Sequence, residues 1–285
     1  MKHFTFLGMA ALLAFSATAQ PRSASEPALL LSTPTGLMAP VWSPDGSQIA
    51  VTGNNYTGIM VANANGSDFR MVTDAPGAGY KMVWNGEAEI VGRTNQMQQG
   101  RVMHEMCAWN VATGSTQVLV PLSRTTQAPT LRAAGRVRGV RGIYEQMMSA
   151  PDKVADQVEA LSQFSGEIII NPALSPDGSR IAFQVPGKGM WMINADGTNL
   201  QSIGTGSHPA WMPDNATIVY TIVTDNGNNF TSSTLMAMNV NNGKSVVLTA
   251  RPDFIPLTPA VAPDGSKIAF ENAVDNAIYV VTLKY

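Results

Sequence analysis

A twelve-residue motif occurs three times in this chain. Residues 40–51 read PVWSPDGSQIAV, residues 172–183 read PALSPDGSRIAF, and residues 259–270 read PAVAPDGSKIAF. Proline presets φ for the second position of a type I turn, aspartate suits the third, and glycine can take the positive φ of the fourth. Because apolar residues flank each turn, every copy predicts a strand, a tight turn and a second strand.

Weaker copies of the motif lie between the clear ones. Residues 209–221 keep the prolines, the tryptophan and the aspartate, residues 81–92 keep the tryptophan around a shorter turn, and residues 130–140 keep only a glycine and the strand pattern. The six turns then recur about every 44 residues. A period of this length is typical of repeat architectures such as β-propellers.

A second hairpin follows the first in the clear repeats. Residues 58–73, 189–203 and 234–249 each place an Asn-Gly or Asp-Gly turn between alternating apolar runs, which is a strong hairpin signal. Two hairpins make four strands, the content of one propeller blade. The sequence therefore predicts an all-β fold, a six-bladed β-propeller of four-stranded blades, as one domain over residues 20–285.

The last repeat has only three predicted strands, because the chain ends after AIYVVTLKY at residues 277–285. The segment PALLLST at residues 27–33 resembles the outer strands of other repeats. We expect this N-terminal strand to complete the last blade and close the ring, which also removes a free sheet edge.

Residues 149–164, SAPDKVADQVEALSQF, fit two interpretations. The apolar residues of a helix over this segment would share one face, and Ser149 could cap it. The register of the repeat instead favours a strand near 157–162, with any helical turn confined to 151–156. We take the strand as the expectation.

The repeat resembles that of the TolB-type six-bladed propeller family, in which P-x-W-S-P-D-G-x-x-I-A-F is followed by a strand and an Asn/Asp-Gly turn. The resemblance covers nearly all of residues 20–285. TolB itself carries an N-terminal α/β domain before its propeller, and we expect none here, because only about eight residues separate the expected cleavage site from the first predicted strand. The resemblance implies a propeller that holds a partner segment at its central funnel.

Residues 1–19 have the parts of a secretory signal peptide: a basic start, the apolar stretch FTFLGMAALLAF, and small residues before a cleavage site after Ala19. The apolar stretch is short for a membrane span, and no cysteine lies near the cleavage site. We expect a monomer in the periplasm or secreted, not membrane-spanning. The net charge of −2 does not favour nucleic acid as a partner.

Sequence motifs for catalysis are absent. The chain has neither G-x-S-x-G nor H-E-x-x-H, and beyond the signal peptide only His104 and His208 remain, too few for a typical multi-histidine zinc site. We therefore expect no metal, no cofactor and no enzyme activity. A glycosidase needs only two carboxylates, so a carbohydrate-active enzyme with funnel carboxylates stays open as the alternative.

Two sets of repeated residues have structural interpretations beside functional ones. The turn aspartates Asp45, Asp177 and Asp264 can bond their own turns or serve a metal or catalytic site. The tryptophans Trp42 and Trp84, with their counterpart Trp211, can fill space between blades or stack on sugars. In both sets we favour the structural interpretation.

Loops that run from the outer strand of one blade to the inner strand of the next converge on one mouth of the channel. By register, these loops place the following candidate binding residues at the funnel: Met38, Tyr80, Lys81, Asn171, His208 and Thr258, with Arg251 farther out. A second candidate is a patch of four arginines that could bind carboxylate or phosphate, or could protect an edge strand: Arg132, Arg136, Arg138 and Arg141. The predicted function is a binding module for an envelope protein, peptide or glycan.

Overall fold

The computed structural model describes residues 20–127 and 142–285. Within them the strands form five antiparallel sheets, one for each blade: four sheets have four strands, and the sheet of the last blade has a fifth, short strand. The expectation of an all-β propeller of four-stranded blades is confirmed, whereas the expected number of six blades is wrong for the part of the chain that is described.

The first two blades precede the helical segment. Before them come two short strands, β1 (Ser23–Ala24) and β2 (Ala28–Leu31). Blade 1 consists of β3 (Met38–Trp42), β4 (Gln48–Thr52), β5 (Ile59–Asn63) and β6 (Arg70–Thr73). Blade 2 consists of β7 (Val83–Trp84), β8 (Glu89–Gln98), β9 (Arg101–Asn110) and β10 (Thr116–Ser123).

The last three blades follow the helical segment. Blade 3 consists of β11 (Ile170–Leu174), β12 (Arg180–Val185), β13 (Gly189–Asn194) and β14 (Gln201–Gly204). Blade 4 consists of β15 (Ser207–Trp211), β16 (Thr217–Asp225), β17 (Phe230–Asn239) and β18 (Ser245–Thr249). Blade 5 contains β19 (Pro256–Val261), β20 (Lys267–Asn272) and β21 (Ala277–Lys284), and it takes its fourth strand from β2.

The N-terminal strand closes the ring, as expected. Strand β2 pairs antiparallel with β21, with Leu29 opposite Tyr279 and Leu31 opposite Ile278. Strand β1 pairs farther along the same strand, with Ser23 opposite Lys284. The outer edge of the last blade is therefore covered by the first residues of the described chain.

Helices stand where the repeat predicted another blade. They comprise α1 (Ile143–Ser149), α2 (Val154–Gln157) and a 3-10 helix over Glu159–Phe164, so the expected strand near 157–162 is wrong. The physical reason is burial: Val154, Leu161 and Phe164 are almost fully buried in the core of blade 3. The ring of Phe164 packs edge-on against that of Trp191, with centroids 4.9 Å apart. The weak repeat at 130–140 lies outside the described residues.

The turn aspartates bond their own turns. The Oδ1 atom of Asp45 accepts hydrogen bonds from the Ser43 hydroxyl at 2.6 Å and from the Ser47 amide at 3.0 Å. These bonds lower the pKa of Asp45. The following Gly46 has a φ of 72°, which a residue with a Cβ adopts only with strain. The motif is thus a folding element on the face where the first and second strands of each blade connect.

Tryptophans of the motif join neighbouring blades. Each indole Nε1 donates to a backbone carbonyl on the inner strand of the preceding blade: Trp84 to Val41 at 3.1 Å and Trp211 to Ala173 at 2.9 Å. Each ring is 7% exposed. No indole face is therefore open for a sugar at these positions.

Candidate functional site

Each blade places one residue of left-handed conformation at the start of its inner strand or just before it. We call these five residues the first ring: Ala39 (φ 50°), Lys81 (φ 53°), Asn171 (φ 51°), His208 (φ 53°) and Thr258 (φ 44°). Positive φ is unfavourable for residues with a Cβ. Its recurrence at five equivalent positions indicates that the entry of the chain into the channel imposes it, with a β-bulge beside it in blades 1, 3, 4 and 5.

The second strands contribute a second ring of polar side chains at the same level. In four blades its members pair with the residue before the first ring, for example Thr52 with Met38 and Glu271 with Leu257. In blade 2 the equivalent position is two residues beyond Val91, which pairs with Val83. The second ring comprises Thr52, Arg93, Gln184, Thr221 and Glu271.

A depression of about 220 Å³ opens at the channel mouth. It is lined by first-ring residues of four blades and by the prolines that follow them, such as Pro172 and Pro209. Two buried polar atoms of the first ring have no hydrogen-bond partner among the described residues, Nδ1 of His208 and Oγ1 of Thr258. Burial also lowers the pKa of His208, so this imidazole favours its neutral form.

The one carboxylate of the two rings belongs to Glu271. Its Oε2 accepts a hydrogen bond from the Ala39 amide at 2.8 Å, which links blade 5 to blade 1. Burial raises the pKa of Glu271 above its usual value, against the opposing effects of the Ala39 amide and the nearby Thr258 hydroxyl. The Thr258 Oγ1 lies near the carboxylate but forms no hydrogen bond of normal geometry within the described residues. The Ala39 amide is therefore the hydrogen-bond donor to Glu271.

A second part of the site is cationic and aromatic. The Nζ of Lys81 lies 5.6 Å from the centre of the Tyr80 ring, and the guanidinium carbon of Arg93 lies 5.4 Å from it. Tyr56 meets the same ring edge-on, with centroids 5.1 Å apart. Burial and the neighbouring Arg93 lower the pKa of Lys81. We call Lys81, Arg93, Tyr56 and Tyr80 the blade 2 cluster.

The sequence-predicted funnel residues separate into three groups. Asn171, His208 and Thr258 line the depression. Tyr80 and Lys81 lie in the blade 2 cluster. Met38 directly precedes the first-ring residue Ala39 and pairs with Thr52 of the second ring.

Arg251 belongs to a different contact. Its guanidinium bonds the carboxylates of Glu26 and Asp253, each at 2.6 Å, and it is not among the residues that line the depression. This exposed pair of ion pairs ties the N-terminal segment to the loop before blade 5.

The four arginines of the second candidate patch lie outside the described residues. The described chain on either side of them approaches the blade 2 cluster: the Thr126 carbonyl accepts from Arg93 Nη1 at 3.3 Å, and Met148 Sδ lies 4.0 Å from Lys81 Nζ.

Sequence reasoning missed the second ring, although the repeat contains a signal for it. Its members directly follow the apolar triplets of the motif, as in IAV before Thr52, IVG before Arg93 and IAF before Glu271. At this one position of the repeat, the side chain is a hydroxyl in blade 1, a guanidinium in blade 2 and a carboxylate in blade 5. Tyr56 carried no such signal, because it comes from the connection between β4 and β5.

The described residues form neither a metal-binding cluster nor a membrane-spanning helix. No three histidine, cysteine, aspartate or glutamate side chains in residues 20–127 and 142–285 group closely enough to hold a metal ion. No helix in these ranges is both long and apolar enough to cross a bilayer.

Comparisons with known proteins return distant structural likenesses only. No protein-family model and no curated protein sequence matches the chain. Among solved structures, TolB from Acinetobacter baumannii is 12% identical with a TM-score of 0.38, over 90% of this chain and 56% of that one. An oligogalacturonate lyase from Vibrio parahaemolyticus is 12% identical with a TM-score of 0.47, over 88% of this chain and 79% of that one.

The tricorn protease is 13% identical with a TM-score of 0.48, over 88% of this chain and 26% of that one. The chain thus spans little more than half of the TolB and about a quarter of the protease. At TM-scores below 0.5 these likenesses carry no argument about function. The strand pairings of the chain itself establish a β-propeller of four-stranded blades.

Proposed function

We propose that this chain is a binding module that holds a peptide segment of a partner protein at its channel mouth. The supporting observation is that two buried first-ring atoms, His208 Nδ1 and Thr258 Oγ1, have no hydrogen-bond partner in the part of the chain that the structure describes. A buried polar atom that lacks a hydrogen bond costs stability. A ligand with backbone N–H and C=O groups would supply the missing donors and acceptors.

A peptide suits this mouth better than a neutral glycan does. Sugar sites commonly use an open aromatic face, and the three motif tryptophans are buried between blades. The Tyr80 ring already has two cations and the edge of Tyr56 within 5.6 Å. The prolines of the mouth form rigid apolar walls, while the first ring supplies a few polar groups, as is usual for ligand sites.

The alternative of a carbohydrate-active enzyme lacks support from the two rings. A glycosidase uses two carboxyl groups on either side of the scissile bond. Among the ten ring residues only Glu271 carries a carboxylate, and one of its oxygens already accepts from the Ala39 amide. In the proposed function the protein binds its partner and catalyses no reaction. It acts as a monomer, and its partner is an envelope protein if residues 1–19 direct export.

Capture from an envelope extract tests the proposal. Residues 20–285 serve as bait, beside the variants Asn171→Ala and His208→Ala and the control Lys244→Ala, which changes an exposed side chain in a turn on the opposite face. We expect both mouth variants to retain less of the same partner than the parent at an unchanged melting temperature, and the control to retain as much.

Two results would count against the proposal. Equal capture by the parent and both mouth variants would place the binding surface elsewhere. Loss of capture on replacing Arg132, Arg136, Arg138 and Arg141, with normal capture by the mouth variants, would place it at the arginine patch.

A further inference from the structure

Two cations at the channel mouth have no acidic partner. The ion pairs of the described residues join other side chains, and neither Lys81 nor Arg93 takes part in one. Residues 1–19 and 128–141, which lie outside the described ranges, contain no aspartate or glutamate. An acidic partner therefore cannot come from the rest of this chain.

The two cations are close enough to act on each other. Both lie over the Tyr80 ring, and the positive charge of Arg93 contributes to the lowered pKa of Lys81. Like charges in a partly buried site raise each other's free energy, and an anion between them would reverse the effect. Glu271 does not serve this purpose, because it lies in blade 5 and bonds the amide of blade 1.

Both side chains also have unused hydrogen-bond donors. Within residues 20–127 and 142–285, Nε of Arg93 is buried without a partner, and the hydrogen bond of this guanidinium runs from Nη1 to the Thr126 carbonyl. In the same ranges Lys81 Nζ has only the Met148 thioether, a weak acceptor, at 4.0 Å. A guanidinium fork beside an ammonium group matches the two oxygens of a carboxylate.

We propose that the partner segment is acidic and that the carboxylate of one of its aspartate or glutamate side chains docks between Lys81 and Arg93. This inference rests on the proposed function and names the chemistry of the ligand. Burial and the negative charge of Glu271 raise the pKa of Tyr56, so one carboxylate already acts on this cluster, and a monoanion fits better than a phosphate dianion. Tyr56 and Tyr80 then flank the carbon atoms that carry the carboxylate.

The experiment uses a displayed library of random heptapeptides, which is selected on residues 20–285. Peptides that no longer bind the variant His208→Ala are kept. Each selected peptide is synthesised with its acidic residue and with the matching amide, Asn or Gln. Affinities are measured for the parent, Lys81→Met, Arg93→Gln and the controls Lys244→Met and Arg101→Gln, which remove the same charges from exposed positions.

We expect selected peptides to share an acidic residue. Its change to the amide should weaken binding to the parent about tenfold or more, the loss of one charge-assisted hydrogen bond. The same change should matter little to Lys81→Met and Arg93→Gln, because the partner of the carboxylate is already gone. The control variants should behave like the parent, and affinity should fall as salt rises.

Three results would overturn the inference in distinguishable ways. In the first, peptides need His208 for binding and yet bind equally well when their Asp or Glu is replaced by Asn or Gln. That result would leave the proposed function intact and remove the acidic contact. A library without any His208-dependent binder would remove the proposed function as well. Binding of a uronate-containing oligosaccharide that depends on Lys81 and Arg93, with no acidic peptide selected, would assign the carboxylate to a glycan.

Discussion

The indole Nε1 of Trp42 donates a hydrogen bond to the carbonyl of Ala260, 3.1 Å away, and so joins the first blade to the last. The two residues are far apart in sequence, and Ala260 occupies in the third clear copy of the repeat the position that Val41 occupies in the first, one residue before the tryptophan position. The same contact that links Trp84 to blade 1 thus closes the ring. Ring closure thus includes this bond, the hydrogen bond from the Ala39 amide to Glu271, and the pairing of β2 with β21.

Trp42→Phe should lower the free energy of unfolding by about 1–2 kcal/mol, because it removes the bond between blades and part of a buried ring. Trp191→Phe is the matched control, since the Trp191 indole bonds the Lys188 carbonyl within its own hairpin. Urea unfolding measures both variants. If both variants lost the same free energy of unfolding, the bond between blades 1 and 5 would stabilise the protein no more than a bond within one hairpin.

Leu31→Ala should destabilise the protein by roughly 2–4 kcal/mol, because Leu31 is 4% exposed and packs in the cluster that spans blades 1 and 5. Leu29→Ala on the same strand should have little effect, because Leu29 is 57% exposed. Thermal melting distinguishes them. A similar shift for both variants would contradict the assignment of β2 as the closing strand.

Gly178→Ala should cost about 1 kcal/mol, because Gly178 has a φ of 71° and an added Cβ would strain the backbone. No atom lies within 4 Å of that Cβ, so the cost is conformational rather than steric contact. Gly142→Ala is the control, as its φ is −58° and its surroundings are also open. Chemical denaturation should show a loss for the first variant only.

Glu271→Gln should change the pH dependence of stability. Burial raises the pKa of Glu271 in the folded protein, so its contribution to stability is full below the unfolded pKa and is lost as pH rises through the folded pKa. We therefore expect the variant to gain stability relative to the parent between acidic and neutral pH.

Urea unfolding at pH 3.5 and pH 7.5, both chosen as brackets for a carboxyl group, measures this gain. Glu87→Gln removes the same charge from an exposed turn and is the control. A parent that gains stability over Glu271→Gln towards neutral pH would show that the Ala39 amide outweighs burial.

Lys81→Met should raise the free energy of unfolding, by about 0.5 kcal/mol, the size of an ordinary surface charge interaction. The reason is that the substitution removes one of two like charges and keeps the volume of the side chain. Lys188→Met should have the opposite sign, because Lys188 forms an ion pair with Glu167 at 2.9 Å. A loss of stability in Lys81→Met would indicate that this lysine supports the fold.

The repeat unit and its turns can be predicted from local sequence alone. Proline, aspartate and glycine have local conformational preferences, so the turn at Gly46 needs no distant contact to be predicted. The closing strand followed from counting strands in the last repeat. The position of the first ring also followed from register, to within one residue at Met38 and Ala39.

The number of blades among the described residues and the composition of the site depend on tertiary contacts. The segment that contains Leu161 and Phe164 could form a strand or helices, and burial against blade 3 selected helices. Arg93 and Glu271 share one column of the repeat, but only the closed ring sets one beside Tyr80 and the other on the amide of Ala39. Local preferences act over a few residues, whereas these choices depend on which blades become neighbours in space.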